Sequence, residues 1–528
     1  MSAAAKLLQT DPDLKIIILE STHRIGGRVR SAQMGAPGRE VLVEAGANWI
    51  INDGNAIWDM AQEFGLKHMD THYLNYVVYD EHGSPVDPQL VQSRLNVIGE
   101  VFQKAGKDAQ DAQVGTILKE DKLPKDEGVL RMLQAHGWNL TYDDSPVDNL
   151  DYMLQWKFVD YEYQMPDVSR NFFSPESVPI QVELKQQKQS RWKSKVIPNS
   201  LVLDPRGYES LLQDFQAKHV PSDHIRLNQR VQTINYDITY KTFEKSYGAV
   251  VTVQNETDSR LYDFMARRVI STVSAGVLNH ELIDFAPPLA YSPAKYNPFQ
   301  VAQYTKIFYQ FDRVFWDTDV EFIDIVRPLK QHGHCNNWQN MEHYLPGSGI
   351  IRCELMHASF EELKDPTTNE LTPETLDYLL GPLRLVYGAE VVGTPIDVYY
   401  NALQLDKDYG YGAYGYWQIG RTFRDFASFF GGVEVLHSRC ERHNGCNRNG
   451  EWILHISGSA SCFMESEFVH GGYMAGERSA RFVLDTLGYP NMNPTHNDCD
   501  LVFFDSFLFD WFKPVVKWFL FLVSNRAN

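Results

Sequence analysis

The stretch that most narrows the possible folds lies near the beginning. Lys15-Ile-Ile-Ile-Leu-Glu20 is a short apolar run with β-branched residues that ends on an acid, and Glu20-Ser-Thr-His-Arg24-Ile-Gly26-Gly27-Arg28 follows at once. A continuous apolar run of this length reads as a buried parallel strand. Before it, Ser-Ala-Ala-Ala-Lys-Leu-Leu are strong helix formers, closed by the turn Thr10-Asp-Pro-Asp13. Helix, turn and buried strand ending in an acid make the second half of a dinucleotide-binding βαβ unit. Glu20 at the strand tip can accept both hydrogen bonds of an adenosine ribose. Gly26 and Gly27 let backbone N–H groups approach a pyrophosphate, and Arg24 and Arg28 can neutralise it with forked contacts. An ordinary strand and turn with surface arginines is the bland alternative.

Length sets the scale. The 528 residues allow two to four domains at about 150 residues each. With 43% hydrophobic residues the chain can bury several cores. Its net charge of −19 argues against a nucleic-acid partner, which would call for a basic face. Six cysteines are too few for a disulfide scaffold. Cys440 and Cys446 could close a small loop, and no paired spacing suggests a metal site, so the segment reads as a plain loop. Sequons at Asn139 and Asn255, together with an unusual tail, lean toward the secretory pathway or a membrane association.

That tail, Leu501 to Val523, is packed with aromatics. Asp505, Asp510, Lys513 and Lys517 fall within an arc of roughly 140° at 100° per residue, with Phe504, Leu508, Trp511, Val515 and Trp518 opposite. Four charges argue against a spanning helix. An interfacial helix on a membrane and a helix docked on the body or on a second subunit remain equal readings. Between the ends, residues 225–290 alternate as strands do, 90–165 look helical, and 296–330 and 395–420 hold aromatic-rich strands. No Gly/Ser linker divides the chain, which suggests interleaved domains.

Several blocks in one order resemble the flavin-containing amine oxidases, and among them most closely the polyamine oxidases. After the Glu20–Arg28 motif come Val43-Glu44-Ala-Gly46-Ala47-Asn48-Trp49-Ile50, Asp204-Pro-Arg206-Gly207-Tyr208-Glu209, Arg230-Val231, Ile270–Leu278, Tyr304-Thr305-Lys306-Ile307-Phe308, Gly415-Tyr416-Trp417 and Val469-His470-Gly471-Gly472-Tyr473-Met474-Ala475-Gly476. The resemblance implies an α/β fold of two interleaved domains, related to the p-hydroxybenzoate hydroxylase arrangement. An FAD-binding Rossmann-like domain would comprise 1–75, 196–290 and 440–490. A mixed-sheet α+β substrate domain would comprise 76–195 and 291–439, leaving the tail 491–528 outside both.

The resemblance also implies roles. Glu20, Arg24, Gly26, Gly27, Arg28, Gly46, Ala47, Val231, Gly458, Ser459, Val469, His470 and Gly471 would hold FAD. Asn48, Trp49, Trp417 and Phe468, with Phe423 or Phe426, would surround a small-molecule amine. Lys306 would hold a water against flavin N5, although its strand taken alone favours an edge with a solvent-facing lysine. Hydride transfer from the carbon beside nitrogen, imine hydrolysis and reduction of O2 to H2O2 would follow. No metal is expected.

The departures from the family pattern are specific. No G-x-G-x-x-G precedes the first helix, and MSAAAKLL reads as translation, or a gene model, beginning just past that loop, and the sequence leaves open whether the start lies upstream. Ser459 stands where the family has an acid after Gly458. Ile51 or Asn52 stands where polyamine oxidases often carry an acid. Two alternatives therefore accompany the main reading: a flavin-less, non-catalytic relative, and a flavin oxidoreductase acting on a non-polyamine secondary metabolite.

Overall fold

The computed structural model describes residues 1–51, 55–72, 74–118, 129–138, 145–155, 199–238, 240–241, 246–289, 299–302, 304–402, 405–406, 410–419, 445–447, 449–462 and 466–489. The tail 491–528, Phe423, Phe426, Cys440 and the sequon at Asn139 lie outside them, as does the side chain of Trp417.

The opening helix runs Ser2–Thr10. Its apolar residues Ala3 and Leu7 pack against Ala480, Val483 and Leu484 of the last helix, Val469–Thr486. The two helices meet closely because Gly476 faces Ser2, where a Cβ would lie 2.0 Å from Ser2 Oγ. The expected strand at 15–20 is shorter in the structure. Only Ile18–Leu19 joins a ladder, parallel to Ile225–Arg226, with Glu20 N–H donating to Arg226 O at 2.9 Å. A second parallel pair, Val269–Ser271 with Leu454–Ile456, lies in the same half of the fold. Beside it stands a four-stranded sheet of Leu261–Ala266, Ala249–Asn255, Gln229–Asn235 and Asp284–Ala286, whose inner residues Ile234, Val251 and Val253 form one core with Leu454 and Ile456.

The other half is a six-stranded mixed sheet. Its order is Asp397–Ala402, Tyr304–Gln310, Ile350–Met356, His334–Asn340, Phe322–Ile325 and Tyr76–Tyr79, with only the last pair parallel. Alternation divides its faces. Ile307, Tyr309, Ile323, Ile325, Ile351, Cys353 and Leu355 point to one core, covered by the helices that supply Phe360, Leu379 and Leu383. Tyr304, Lys306, Phe322, Arg352 and Glu354 therefore point the other way, toward the half that holds Glu20–Arg28. Helices Pro88–Leu118, Val129–Ala135 and Pro146–Leu154 occupy the region that the sequence marks as helical.

The cysteines correct the sequence reading. Cys335 and Cys353 are eighteen residues apart but form a disulfide, because antiparallel pairing of their strands brings the Cα atoms to 5.1 Å. Cys446 and Cys462 are each disulfide-bonded too, while Cys440 lies outside the described residues, so the reading of the 440–446 segment stays an expectation.

Candidate active site

A cavity of about 1050 Å³ lies between the two halves. Its lining brings together Glu20, Arg230, Val231, Met1 and Ser2, a section around Arg28 with Gly26, Gly27, Gly458, Ser459, Glu467, Phe468, Val469 and Gly472, and a section around Lys306 with Gly46, Ala47, Asn48, Trp49, Tyr304 and Glu354. The tertiary fold thus joins on one wall residues separated by more than 400 positions.

The glycine turn needs its glycines. Gly26 has φ +117° and Gly27 φ +56°, the left-handed side that glycine adopts without a steric cost. Gly46 is required for another reason: a Cβ there would sit 2.0 Å from Arg28 O and 2.9 Å from Arg30 N. The 44–48 segment is stitched to the arginine segment by Gly46 N–H donating to Arg30 O (2.8 Å) and Ala47 N–H to Arg28 O (3.0 Å). At the strand tip, Glu20 Oε1 accepts from Thr22 N–H and Thr22 Oγ1, both at 2.9 Å, which fixes the carboxyl at the rim.

Arg28 is the cation of its section. It forms an ion pair with Glu467, donates to Ser459 Oγ and donates to Ala413 O at 2.8 Å. Ser459 Oγ in turn donates to Glu467 at 3.1 Å. Arg24 behaves differently. Its guanidinium donates to Gly27 O (2.6 Å), Val29 O (3.1 Å) and Ile25 O (3.2 Å) and pairs with Glu209 at 3.4 Å, so it braces the turn and is absent from the cavity wall. His470 and Gly471 are buried behind the start of the last helix, where the His470 ring stacks on Phe468 at 5.3 Å. Gly472, Tyr473 and Gly476 form the wall there instead. Trp417 ends a strand, Tyr414–Trp417, that pairs with Phe299–Ala302.

Lys306 is 3% exposed, which removes the surface-edge alternative. Its Nζ donates to Asn48 Oδ1 at 2.8 Å, to Glu44 O at 3.3 Å and to Gly46 O. Burial pushes its pKa down to about 7, with Arg352 adding to the effect. Burial likewise pushes Glu44 up to about 7, although Tyr208 N–H at 2.9 Å and Ser31 Oγ at 2.8 Å donate to it. An acid and a base poised near neutrality beside a cleft are suited to proton handling.

Sequence reasoning overlooked Tyr304, Arg352, Glu354 and Glu467. Arg352 and Glu354 carried a legible signal. In Ile350-Ile-Arg-Cys-Glu-Leu-Met356 two charges stand two apart in an apolar strand, so they share a face opposite Ile351, Cys353 and Leu355. Glu467 carried none, since its place depends on a backbone held at φ +68°.

The donor set suits a nucleotide-linked ring: an acid at Glu20, glycine turns beside the Arg28 cation, and the backbone of Gly46 to Trp49 line one cavity. The comparisons agree. The family model for flavin containing amine oxidoreductase matches residues 1–484. Polyamine oxidase 1 of Zea mays is 24% identical over 500 residues, covering 92% of this chain and 88% of its own. Probable polyamine oxidase 4 of Arabidopsis thaliana is 27% identical over 435 residues, covering 75% and 76%. Among solved structures, putrescine oxidase bound to putrescine superposes with a TM-score of 0.62 at 16% identity, and cyclohexylamine oxidase from Brevibacterium oxydans with 0.61 at 16%. Each covers 92% of this chain and 96% of the other. With its motifs in order, its cleft between two halves and a family match across 484 of its residues, the chain belongs to the flavin-containing amine oxidoreductases.

Proposed function

We propose that the protein binds its flavin as FAD and oxidises a small amine beside Lys306 in the cavity. The observation that carries this reading is the shared wall. Glu20 and Val231, which the motif reading assigns to an adenosine, line the same cavity as Lys306 and Trp49, as a dinucleotide that reaches both groups would require.

Glu20 would accept from the ribose, and Arg28 with the turns at Gly26 and Gly458 would face the pyrophosphate. Gly46 and Ala47 would lie against the ring. The bound flavin supplies a two-electron acceptor for the hydride leaving the carbon beside nitrogen, and O2 takes those electrons on to give H2O2. The chain contributes position and proton control. Lys306, held by the 44–48 segment, ties the ring-facing wall to the substrate sheet. With a pKa of about 7 it exists in both forms at neutrality. The ammonium form gives one proton to each of its three acceptors; loss of a proton would release one acceptor and turn an Nζ lone pair to that side, where the water needed to hydrolyse the imine to a carbonyl compound and an amine could donate. Trp49 and Phe468 would close the amine off from bulk water.

The division into 1–75, 196–290 and 440–490 for the flavin, and 76–195 and 291–439 for the substrate, belongs to this proposal. So does a secretory route. A disulfide at Cys335–Cys353 and an exposed sequon turn at Asn255-Glu-Thr257 support it, and a glycosidase-sensitive gel shift abolished by Asn255→Gln would test it. The aromatic tail is proposed to bind a membrane surface, and liposome flotation with and without 495–528 would test that.

The central test is direct. The purified protein should be yellow, with absorbance near about 450 nm. Heat-released cofactor should run as FAD, and peroxide should appear with at least one amine from a panel of monoamines, diamines and polyamines. A colourless protein that takes up no FAD would refute the reading.

A further inference from the structure

We propose that Glu354 is the carboxylate that captures the ammonium form of the substrate, an inference that rests on amine oxidation beside Lys306. Glu354 and Lys306 are direct cross-strand partners in the pair Tyr304–Gln310 with Ile350–Met356, so their side chains stand side by side on the face turned to the cavity. Arg352, two residues away on the same strand, and Tyr304, two residues from Lys306, complete the group.

Exposure separates their roles. The side chain of Arg352 is 4% exposed and Lys306 is 3%, whereas the side chain of Glu354 is 25% exposed. All three line the cavity, and the acid is the most open to it. Each base has another task. Lys306 gives its Nζ to Glu44 O, Gly46 O and Asn48 Oδ1. Arg352 sits behind Glu354, with Nη2 3.1 Å from Oε1, while its Nε donates to Gln339.

The chemistry that completes this site is cationic. An ionised carboxylate offers about four acceptor positions. Arg352 and the Tyr304 hydroxyl supply two donors. An alkylammonium brings up to three N–H donors and the opposite charge. An anionic ligand would be repelled, and a neutral apolar one would leave the remaining acceptors unmet in a partly desolvated cleft. Arg352 holds the carboxylate in place before the ligand arrives, so little side-chain ordering is left to bind against. The acid that the sequence lacks after Trp49 is thus supplied from a different strand.

The test uses the holoenzyme and Glu354→Gln, which keeps the shape and the acceptor for Arg352 but removes the charge. Anaerobic flavin reduction is followed with spermidine and with hexylamine. Binding of hexyltrimethylammonium, a permanent cation that loses no proton, is followed by the flavin difference spectrum. The apparent Kd of all three should rise at least about tenfold, by a larger factor than the limiting reduction rate falls, and Glu354→Asp should recover part of the loss. Unchanged Kd values would overturn the role of Glu354 and leave amine oxidation standing. Loss of flavin from both variants would also overturn it, making Glu354 a structural residue. A wild-type flavin that neither amine reduces would overturn the inference together with the activity on which it rests.

Discussion

Replacing Lys306 by methionine should change how stability depends on pH, by an amount that follows from its burial. The folded-state pKa is about 7 against an ordinary value of 10.5. Between those values the unfolded chain carries a proton that the folded chain does not. Folding is therefore penalised most below pH 7, and the penalty is relieved as pH rises toward 10.5. Each pH unit inside the window is worth about 1.36 kcal/mol, so from pH 7.5 to 9.5 the wild type should gain about 2.5 kcal/mol relative to Lys306→Met. The variant lacks the titrating group but keeps a similar volume. Subtracting the two curves cancels every other ionisation except a small coupling to Glu44, itself pushed up to about 7. Urea unfolding midpoints of the two proteins across that range, with equal m-values confirmed, measure the difference. Parallel curves, agreeing within about 0.5 kcal/mol at both ends, would mean that Lys306 is not desolvated in the folded protein. Its proposed proton chemistry would then lose its physical basis.

Other perturbations have definite outcomes. Gly46→Ala would drive a Cβ to 2.0 Å from Arg28 O, which should cost about 3 kcal/mol and release the flavin; thermal midpoint and cofactor content would show it. Cys353→Ser opens the disulfide that spans eighteen residues and should remove about 3 kcal/mol, so the melting temperatures of wild type and variant should differ when oxidised and converge once both are reduced. His455 is buried and neutral, pushed down to about 3 by burial and by Arg478. The unfolded chain binds that proton near pH 6.5 and the folded one does not, so stability should fall as pH drops below 6.5. His455→Gln should flatten that slope in acid titrations of the unfolding midpoint.

What was legible in the sequence was local. Glu20 through Arg28 read as a turn suited to a nucleotide because its features are carried by neighbours in the chain: an apolar strand, an acid at its tip, and glycines that turn left-handed in the structure. The strand around Lys306 and the segment Gly46–Trp49 were legible for the same reason. Even so, the strand of Lys306 by itself favoured a surface edge, and only the resemblance favoured a buried site. Alternation assigns a residue to a face but does not say what covers that face.

Tertiary structure decided the rest. It showed that the Lys306 face lies against the 44–48 segment, where three acceptors take its Nζ and burial lowers its pKa. It turned Arg24 away from the cavity, because the carbonyls of its own loop and Glu209 lay within reach first. It joined Cys335 to Cys353 through strand pairing, and it brought Glu354 beside Lys306 although 48 positions separate them. The physical reason is common to all four. Desolvation, ion pairing and cross-strand contact depend on distances that pairing and packing set, and a lone strand carries no record of the partner it will meet.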